Sequence, residues 1–253
     1  MLLRPDGDDA VIAVGQAAHA WVSGQLARAW GGGRFPPPSP REEVCLGAEQ
    51  HDVGMALWDL EPALDPETGL PAPFYRMDRR THLTLWEQAP RRLLTQSRYA
   101  ALLVSLHGTG LYERFPPRTD DPEILAAVDA YLAGQRGLQT RLAAELGAPE
   151  DELRRNQALL AAWDDLSLAV CQAALPRTVP DVPSAGGPVA VTAAADGDRG
   201  VIVDPWPFAA DQVEVRFEGR RLAGRFADAR ALRDALERAE HVALRLELHP
   251  AAR

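Results

Sequence analysis

The stretch HDVGMALWD, residues 51–59, decides how the rest of this chain is interpreted, because it places a histidine and an aspartate side by side near the predicted end of a helix. An adjacent His51–Asp52 pair can be a solvated doublet in which Asp52 caps the next turn. It can equally supply two ligands to a metal ion. Since the pair alone favours neither, the choice depends on which other residues could complete a site.

The composition of the 253-residue chain limits its possible functions. A net charge of −9 argues against a protein that binds nucleic acid through a basic surface. All 27 basic residues are arginine, which excludes Schiff-base and P-loop chemistry. No apolar run approaches the ~20 residues of a membrane helix, and no signal-peptide core is evident. We therefore expect a cytoplasmic protein with neither a nucleic-acid nor a membrane partner.

The spacing of apolar residues predicts a helical region followed by a β-rich one. Steps of three and four predict helices at about 9–30, 40–51, 82–95, 98–111, 122–146 and 150–175. After a proline-rich linker, alternating valines predict strands at about 189–193, 200–203, 212–218 and 221–226, then a helix at 229–239 and a strand at 241–248. A hairpin turn is predicted at residues 218–220. The expected organisation is a helical metal-binding domain, 1–177, with a small β-rich subdomain, 186–253, packed on it.

Four of the six histidines lie in the predicted helical region, each on a different helix or helix end. His19 lies in the first helix between Gln16 and Ser23, so three polar residues follow one another on an otherwise apolar face. A lone histidine on such a face is more often an ordinary core residue. Because each buried polar group needs a partner, three together favour a ligand role for His19.

The remaining candidates have less distinctive surroundings. His107 ends the apolar run YAALLVSLH and is expected to face inward. His82 can belong to a helix cap or the core, or bind a metal, and its neighbours favour neither. In the last long helix, one of Asp164 and Asp165 is expected to face the site and the other to face solvent. We assign the ligand role to Asp165, while the residues themselves leave Asp164 open.

In chain order, these candidates resemble the HD superfamily of metal-dependent phosphohydrolases: an early histidine, a His-Asp doublet, further histidines and a late helical aspartate. A closer resemblance is to the bacterial domain-of-unknown-function family 3891. It is carried by QAAHAWVSGQLARAWG (16–31), HDVGMALWDLEPALDPETGLP (51–71), THLTLW (81–86), LLVSLHG (102–108), WDDLSLAVC (163–171) and DPWPF (204–208). These resemblances imply a mainly α fold, an HD-like helical bundle with a small C-terminal antiparallel β or α+β appendage.

The HD resemblance also implies a set of site residues. The implied metal ligands are His19, His51, Asp52, His107 and Asp165, and His82 would allow a second ion bridged by Asp52. The candidate catalytic residues are Asp52 and His82. Further candidates for the surroundings of the metal or for the substrate pocket are Gln16, Ser23, Trp58, Asp59, Trp86 and Arg34. One or two divalent ions are expected, and these residue types do not distinguish Mn, Fe, Zn and Mg.

The function expected from this site is hydrolysis of a small phosphorylated or nucleotide-like substrate by a metal-dependent enzyme. Met55 stands where the cyclic-dinucleotide hydrolases of the HD superfamily carry a lysine, so that particular substrate is not implied. Two alternatives stay open: a dinuclear-iron oxygenase of the HD type, and a non-catalytic binding module with a vestigial metal site. The expected partner is a small molecule, and the chain is a candidate homodimer.

Overall fold

A curled seven-stranded sheet covered by helices forms the protein, described for residues 1–251 by a computed structural model. The helices of this part of the chain are α1 (Gln16–Ala29), α2 (Arg41–Gln50), α3 (Arg79–Leu93), α4 (Arg98–Arg114), α5 (Pro122–Leu146), α6 (Glu150–Gln172) and α7 (Ala229–Arg238). Three short 3-10 turns, Val53–Met55, Trp58–Leu60 and Phe74–Arg76, lie in the connection between α2 and α3.

Strands come from both ends of the chain. They are β1 (Leu2–Pro5), β2 (Ala10–Val14), β3 (Leu64–Asp65), β4 (Leu70–Pro71), β5 (Arg177–Val182), β6 (Val189–Asp196), β7 (Gly200–Asp204), β8 (Val213–Ala223) and β9 (Glu240–Pro250). The large sheet has the order β1-β2-β8-β9-β7-β6-β5, and β3 and β4 pair separately. The pair β7–β9 is parallel, whereas the other neighbours in the sheet are antiparallel.

The predicted first helix, 9–30, is wrong over its first third. Residues 10–14, AVIAV, form strand β2, and Ile12 pairs with Arg221 of β8. A run of β-branched residues between an acidic turn and Gly15 is typical of a strand. The helix begins only at Gln16, where the extended backbone of Gly15 precedes the first turn. The expected cap at Asp8 or Asp9 is therefore also wrong.

The predicted hairpin at residues 218–220 is wrong as well, because these residues lie inside β8, a single strand of 11 residues. Gly219 pairs with Val242 of β9 inside this strand. A Cβ atom at Gly219 would collide with Ile12 of β2. Gly219 thus permits close approach of a neighbouring strand. A glycine in a strand can mark such a close approach as well as a turn or a bulge.

These strands correct the expected fold class. Strand accounts for 22% of the chain and helix for 49%, so the protein is not a mainly α bundle. The sheet is not a C-terminal appendage, since β1 and β2 from the N-terminal end extend it beyond β8. It is not wholly antiparallel either, since β7 and β9 run parallel. Pairing between distant segments is set by tertiary structure, which local spacing does not encode.

One hydrophobic core joins the two layers. It includes Val22 and Leu26 of α1, Leu103 of α4, and Val215 and Phe217 of β8. Helix α1 therefore lies between the sheet and helices α2 and α6, with one part of its surface on each. Among residues 1–251, no helix is both long and apolar enough to cross a membrane.

Candidate metal centre

Four helices bring histidine and aspartate side chains to one buried point. His19 comes from α1, His51 follows the last residue of α2, His107 comes from α4 and Asp164 from α6. The Asp164 carboxylate lies 3.5 Å from His51 Nε2, 3.4 Å from His107 Nε2 and 3.8 Å from His19 Nδ1. Each histidine is at most 3% exposed, so these polar groups lie within the core.

The backbone fixes the direction of His51. Its Nδ1 donates a hydrogen bond of 2.8 Å to the carbonyl of Ala48, one turn earlier in α2. The other nitrogen, Nε2, is then directed into the cluster. A hydrogen bond from one ring nitrogen to a backbone carbonyl is the usual arrangement around a histidine that binds a metal through the other.

Two histidine nitrogens in the cluster lack a hydrogen-bond partner among residues 1–251. His51 Nε2 and His107 Nε2 are both buried and unpaired. Both nitrogens face the Asp164 carboxylate, at 3.5 and 3.4 Å, without forming a well-aligned hydrogen bond. An unsatisfied buried polar atom costs roughly 1–3 kcal/mol, and a bound ion would satisfy both. His19, His51 and Asp164 each offer a ligand atom within 4.8 Å of the others, and this group could hold a metal ion.

A short chain of hydroxyl groups orients His19. Its Nδ1 lies 3.0 Å from Ser167 Oγ, and Ser167 in turn donates to the backbone carbonyl of Asp164 at 2.8 Å. Ser23, predicted near the site, donates to Ser167 at 2.9 Å or to the Trp163 carbonyl at 3.2 Å. The structure thus places Ser23 behind His19, outside the central cluster, where it supports the ring through Ser167.

Asp52 lies at the edge of the cluster. Its Oδ2 is 2.7 Å from His19 Nε2 and 3.8 Å from His51 Nε2. It also accepts a hydrogen bond of 3.3 Å from the side-chain amide of Gln16, another residue of the predicted pocket. The conformation after the doublet depends on Gly54, because a Cβ there would collide with the carbonyl of Leu85 in α3.

The electrostatics of the cluster favour a bound cation. Burial lowers the pKa of His51, but the carboxylates of Asp52 and Asp164 outweigh burial and raise it to about 9. Burial likewise raises the pKa of Asp164, yet His107 and His51 more than reverse this and hold it well below its ordinary value. The pKa of Asp52 is lowered, against the effect of burial, by His51 and His19. Two carboxylates therefore stay ionised in a buried site, where a divalent ion would be well compensated.

Asp164, rather than the assigned Asp165, lies among the histidines. Asp165 instead forms two hydrogen bonds, of 2.6 and 2.9 Å, with Arg177. A helix turns about 100° per residue, so only one of two adjacent aspartates can face the core. The signal was present in the sequence, because steps of four, three and four from Leu160 reach Asp164, Ser167 and Cys171, all on the buried face.

His82 lies beside the cluster with both ring nitrogens engaged. Its Nδ1 is 2.6 Å from the Tyr112 hydroxyl, and its Nε2 accepts from Trp86 Nε1 at 3.2 Å. Burial, with Arg79 as a second cause, lowers the pKa of His82 to about 4, so the ring is neutral at pH 7. His82 therefore lines the site with Trp86 and is not part of the group of His19, His51 and Asp164 whose ligand atoms lie close together.

Three further predicted pocket residues lie elsewhere. The Asp59 carboxylate accepts from the backbone N–H of Gln16, so it caps α1; burial raises the pKa of Asp59 to about 6. Trp58 packs on the small cluster beneath α7, with Leu232 and Leu236. Arg34 lies beyond the far end of α1, where its carbonyl accepts from the backbone N–H of Ala185.

A cavity of about 260 Å³ opens from the cluster, and we refer to it as the inner cavity. Besides the predicted residues, Met55, Arg114, Phe115, Leu168 and Arg177 contribute to its wall. Sequence reasoning missed both arginines. Arg114 lies two helical turns after His107 on the same face of α4, which is a usable signal. Arg177 stands at the start of a proline-rich stretch, and nothing local connects it with the site.

The fold and this cluster define a protein of mixed helix and sheet with a buried candidate metal centre of histidines and aspartates. The chain belongs to the family described as Protein of unknown function (DUF3891), whose model matches residues 1–224. The resemblance to that family is thereby confirmed, while no match connects the chain with the HD superfamily. No curated protein and no solved structure matches it.

Proposed function

We propose that the protein is a metal-dependent hydrolase of small phosphate esters, with the ion held by His19, His51 and Asp164 and assisted by His107. The observation that carries this proposal is the pair of buried, unpaired nitrogens, His51 Nε2 and His107 Nε2, next to an ionised carboxylate. Imidazoles and a carboxylate on rigid helices are the donor set that Zn, Mn and Fe ions take.

Two arginines supply the reason to propose a phosphate ester. Arg114 and Arg177 line the inner cavity together with the metal cluster, in a chain that has no lysine. Asp165 holds Arg177 through Nε and one terminal nitrogen, which leaves the other terminal nitrogen free for an anion. A guanidinium positioned by a carboxylate is well suited to a phosphate oxygen.

In the proposed reaction, water attacks phosphorus and the P–O bond to the organic group breaks, so that the departing alkoxide takes up a proton. A bound divalent ion would lower the pKa of its water toward ~7 and polarise a phosphoryl oxygen. Asp52, ionised and 3.8 Å from His51 Nε2, is the residue placed to accept the proton of the attacking water. His82, neutral and bonded to Tyr112, is the candidate for orienting the leaving group, which takes its proton from solvent.

The order of the histidines and aspartates along the helices is the ground on which we relate this centre to the HD metallohydrolases. That relation concerns the ligand series alone. The inner cavity, at about 260 Å³, suits a small molecule, so we propose a small-molecule substrate with no nucleic-acid partner.

Metal content and phosphate release test the proposal together. Protein purified without chelator should contain close to one Zn, Mn or Fe ion per chain. Asp164→Asn should lose it, while the adjacent Asp165→Asn, the matched control, should retain it. The metal-loaded protein should release phosphate from a panel of monoesters, and Asp164→Asn should not.

Two outcomes would contradict this assignment. Equal metal content in both variants would remove Asp164 from the centre. Oxygen uptake by the iron-loaded protein without phosphate release from any ester would refute hydrolysis.

A further inference from the structure

A second cavity of about 200 Å³ adjoins the inner one. This outer chamber is lined by Phe74, Tyr75, Met77, Leu111, Tyr112 and Phe115, with Arg79 and His82 completing its wall. Phe74, His82, Leu111 and Phe115 belong to both walls, so the two cavities are direct neighbours. The two volumes together fall within the ~300–1,000 Å³ typical of small-molecule sites.

The outer chamber exposes aromatic surface where a substrate would enter. Tyr75 is 69% exposed and Phe115 61%, which places them among the most exposed large apolar side chains of residues 1–251. Leaving such rings in water forgoes about 25 cal/mol for every Å² of apolar surface that could be buried. Aromatic side chains kept open beside a polar site are typical of recognition surfaces.

Two of the buried polar side chains of the chamber, His82 and Tyr112, are already bonded to each other. Both ring nitrogens of His82 have partners, and the Tyr112 hydroxyl is one of them. The Arg79 guanidinium lies over the Tyr112 ring, 5.6 Å from its centroid. No carboxylate or carboxamide is in the wall of the chamber as described. Recognition of a nucleobase uses hydrogen bonds to its edge, and this wall has little to offer them.

We infer that the outer chamber binds a flat, apolar aryl group of the substrate, while the anionic group occupies the inner cavity. This inference rests on the proposed function for the identity of the anion. Phe74 and Phe115 would contact the ring, and the neighbouring Arg114 and Arg177 would hold the charged end. The substrate class is then an aryl phosphate ester, in preference to sugar phosphates and nucleotides.

Binding of phosphonates, whose C–P bond is not a substrate for ester hydrolysis, tests the chamber without turnover. We would titrate the Mn²⁺-loaded protein with phenylphosphonate and with methylphosphonate by calorimetry. The two ligands share the anionic group and differ in the ring. Phenylphosphonate should bind about tenfold more tightly or better.

Two variants at exposed positions address the chamber directly. Phe115→Ser and, independently, Tyr75→Ser should reduce the preference for phenylphosphonate at least threefold. Leu57→Ser is the matched control, because Leu57 is 64% exposed but lines neither cavity. That variant should retain the wild-type preference. Metal content and melting temperature should be unchanged in all three.

Similar affinities for the two phosphonates would overturn the inference, as would failure of both to bind or wild-type selectivity in both chamber variants. Phosphate release from the ester panel tests the proposed function separately. A clear preference for phenylphosphonate without hydrolysis of any aryl ester would refute the proposed hydrolase activity and support aryl binding in the outer chamber. Hydrolysis of non-aryl esters without a preference for phenylphosphonate would support the hydrolase and refute aryl binding in the outer chamber.

Discussion

Removing the metal should give the protein an unusual loss of stability in mild base, and the cause is His51. In the metal-free protein, the Asp52 and Asp164 carboxylates raise the pKa of His51 to about 9, whereas an unfolded histidine titrates near 6.5. The folded state therefore holds this proton more tightly. Its stabilising contribution is complete below pH 6.5 and is lost as the pH rises through 9.

The size of the effect follows from the two pKa values. A pKa of about 9 against 6.5 corresponds to about 3 kcal/mol in the free energy of unfolding. This amount belongs to the coupled cluster rather than to His51 alone, because the same charges lower the pKa of Asp164. It is a large share of the free energy of unfolding of a typical domain, which is ~5–15 kcal/mol.

A divalent ion should reverse this dependence. To bind His51 Nε2 the ion must displace the proton, so its affinity should rise about tenfold for each pH unit between 6.5 and 9. The metal is then most stabilising where the proton no longer contributes. We therefore expect a falling stability curve with chelator and a flat or rising one with saturating Mn²⁺ or Zn²⁺.

Chemical denaturation at pH 6, 7, 8 and 9, with chelator and with metal, measures both curves. His51→Asn should remove the decline that His51 contributes, so its chelator curve should fall less, or rise more, with pH than that of the wild type. His241→Asn, which removes an exposed histidine of β9, is the matched control and should leave it unchanged. Burial lowers the pKa of the Met1 amino group to about 6, which by itself makes stability rise between pH 6 and 8, so the comparison is made between the two proteins. Equal changes in stability from pH 6.5 to 9 in chelated wild type and His51→Asn would refute the reasoning.

Three further predictions concern residues around the centre. Because the pKa of His82 is lowered to about 4, its contribution to stability should fall by about 3 kcal/mol as the pH drops from 6.5 to 4, and the difference between the denaturation of wild type and of His82→Leu measures this contribution. Gly54→Ala should lower the free energy of unfolding by roughly 1–3 kcal/mol and weaken metal binding, because its Cβ would collide with α3. Gly134→Ala is the control, since its Cβ faces open space and should raise the free energy of unfolding by up to about 1 kcal/mol. Equal melting temperatures of the two variants would contradict this prediction. Asp78→Ala should cost about 1 kcal/mol in thermal unfolding without loss of metal, because its side chain caps α3, and unchanged stability would remove that role.

Three long helices, two of which carry residues of the cluster, could be predicted because their signals are local. The predicted spans 98–111, 122–146 and 150–175 correspond to α4, α5 and α6, which end at residues 114, 146 and 172. Caps and breaks mark their ends, and the three-four spacing marks their faces. The sheet was not predictable in this way. Strand β2 adds to β8 across some two hundred residues, and AVIAV satisfies a helical period nearly as well as a strand.

Some polar residues of the centre could be predicted from the helix pattern. The same pattern explains why Asp165 was assigned in place of Asp164 and why Arg177 was missed. A histidine, a serine or an aspartate on the apolar face of a regular helix breaks the expected pattern, so His19 and Ser23 stood out. The same test applied to the face of Leu160 and Cys171 would have chosen Asp164 over Asp165. Arg177 obeys no such pattern, because its place in the cavity depends on where α6 ends and the next strand begins. Buried polar residues on long helices can therefore be inferred from sequence, whereas residues such as Arg177, which line the cavity from the start of a strand, require the assembled fold.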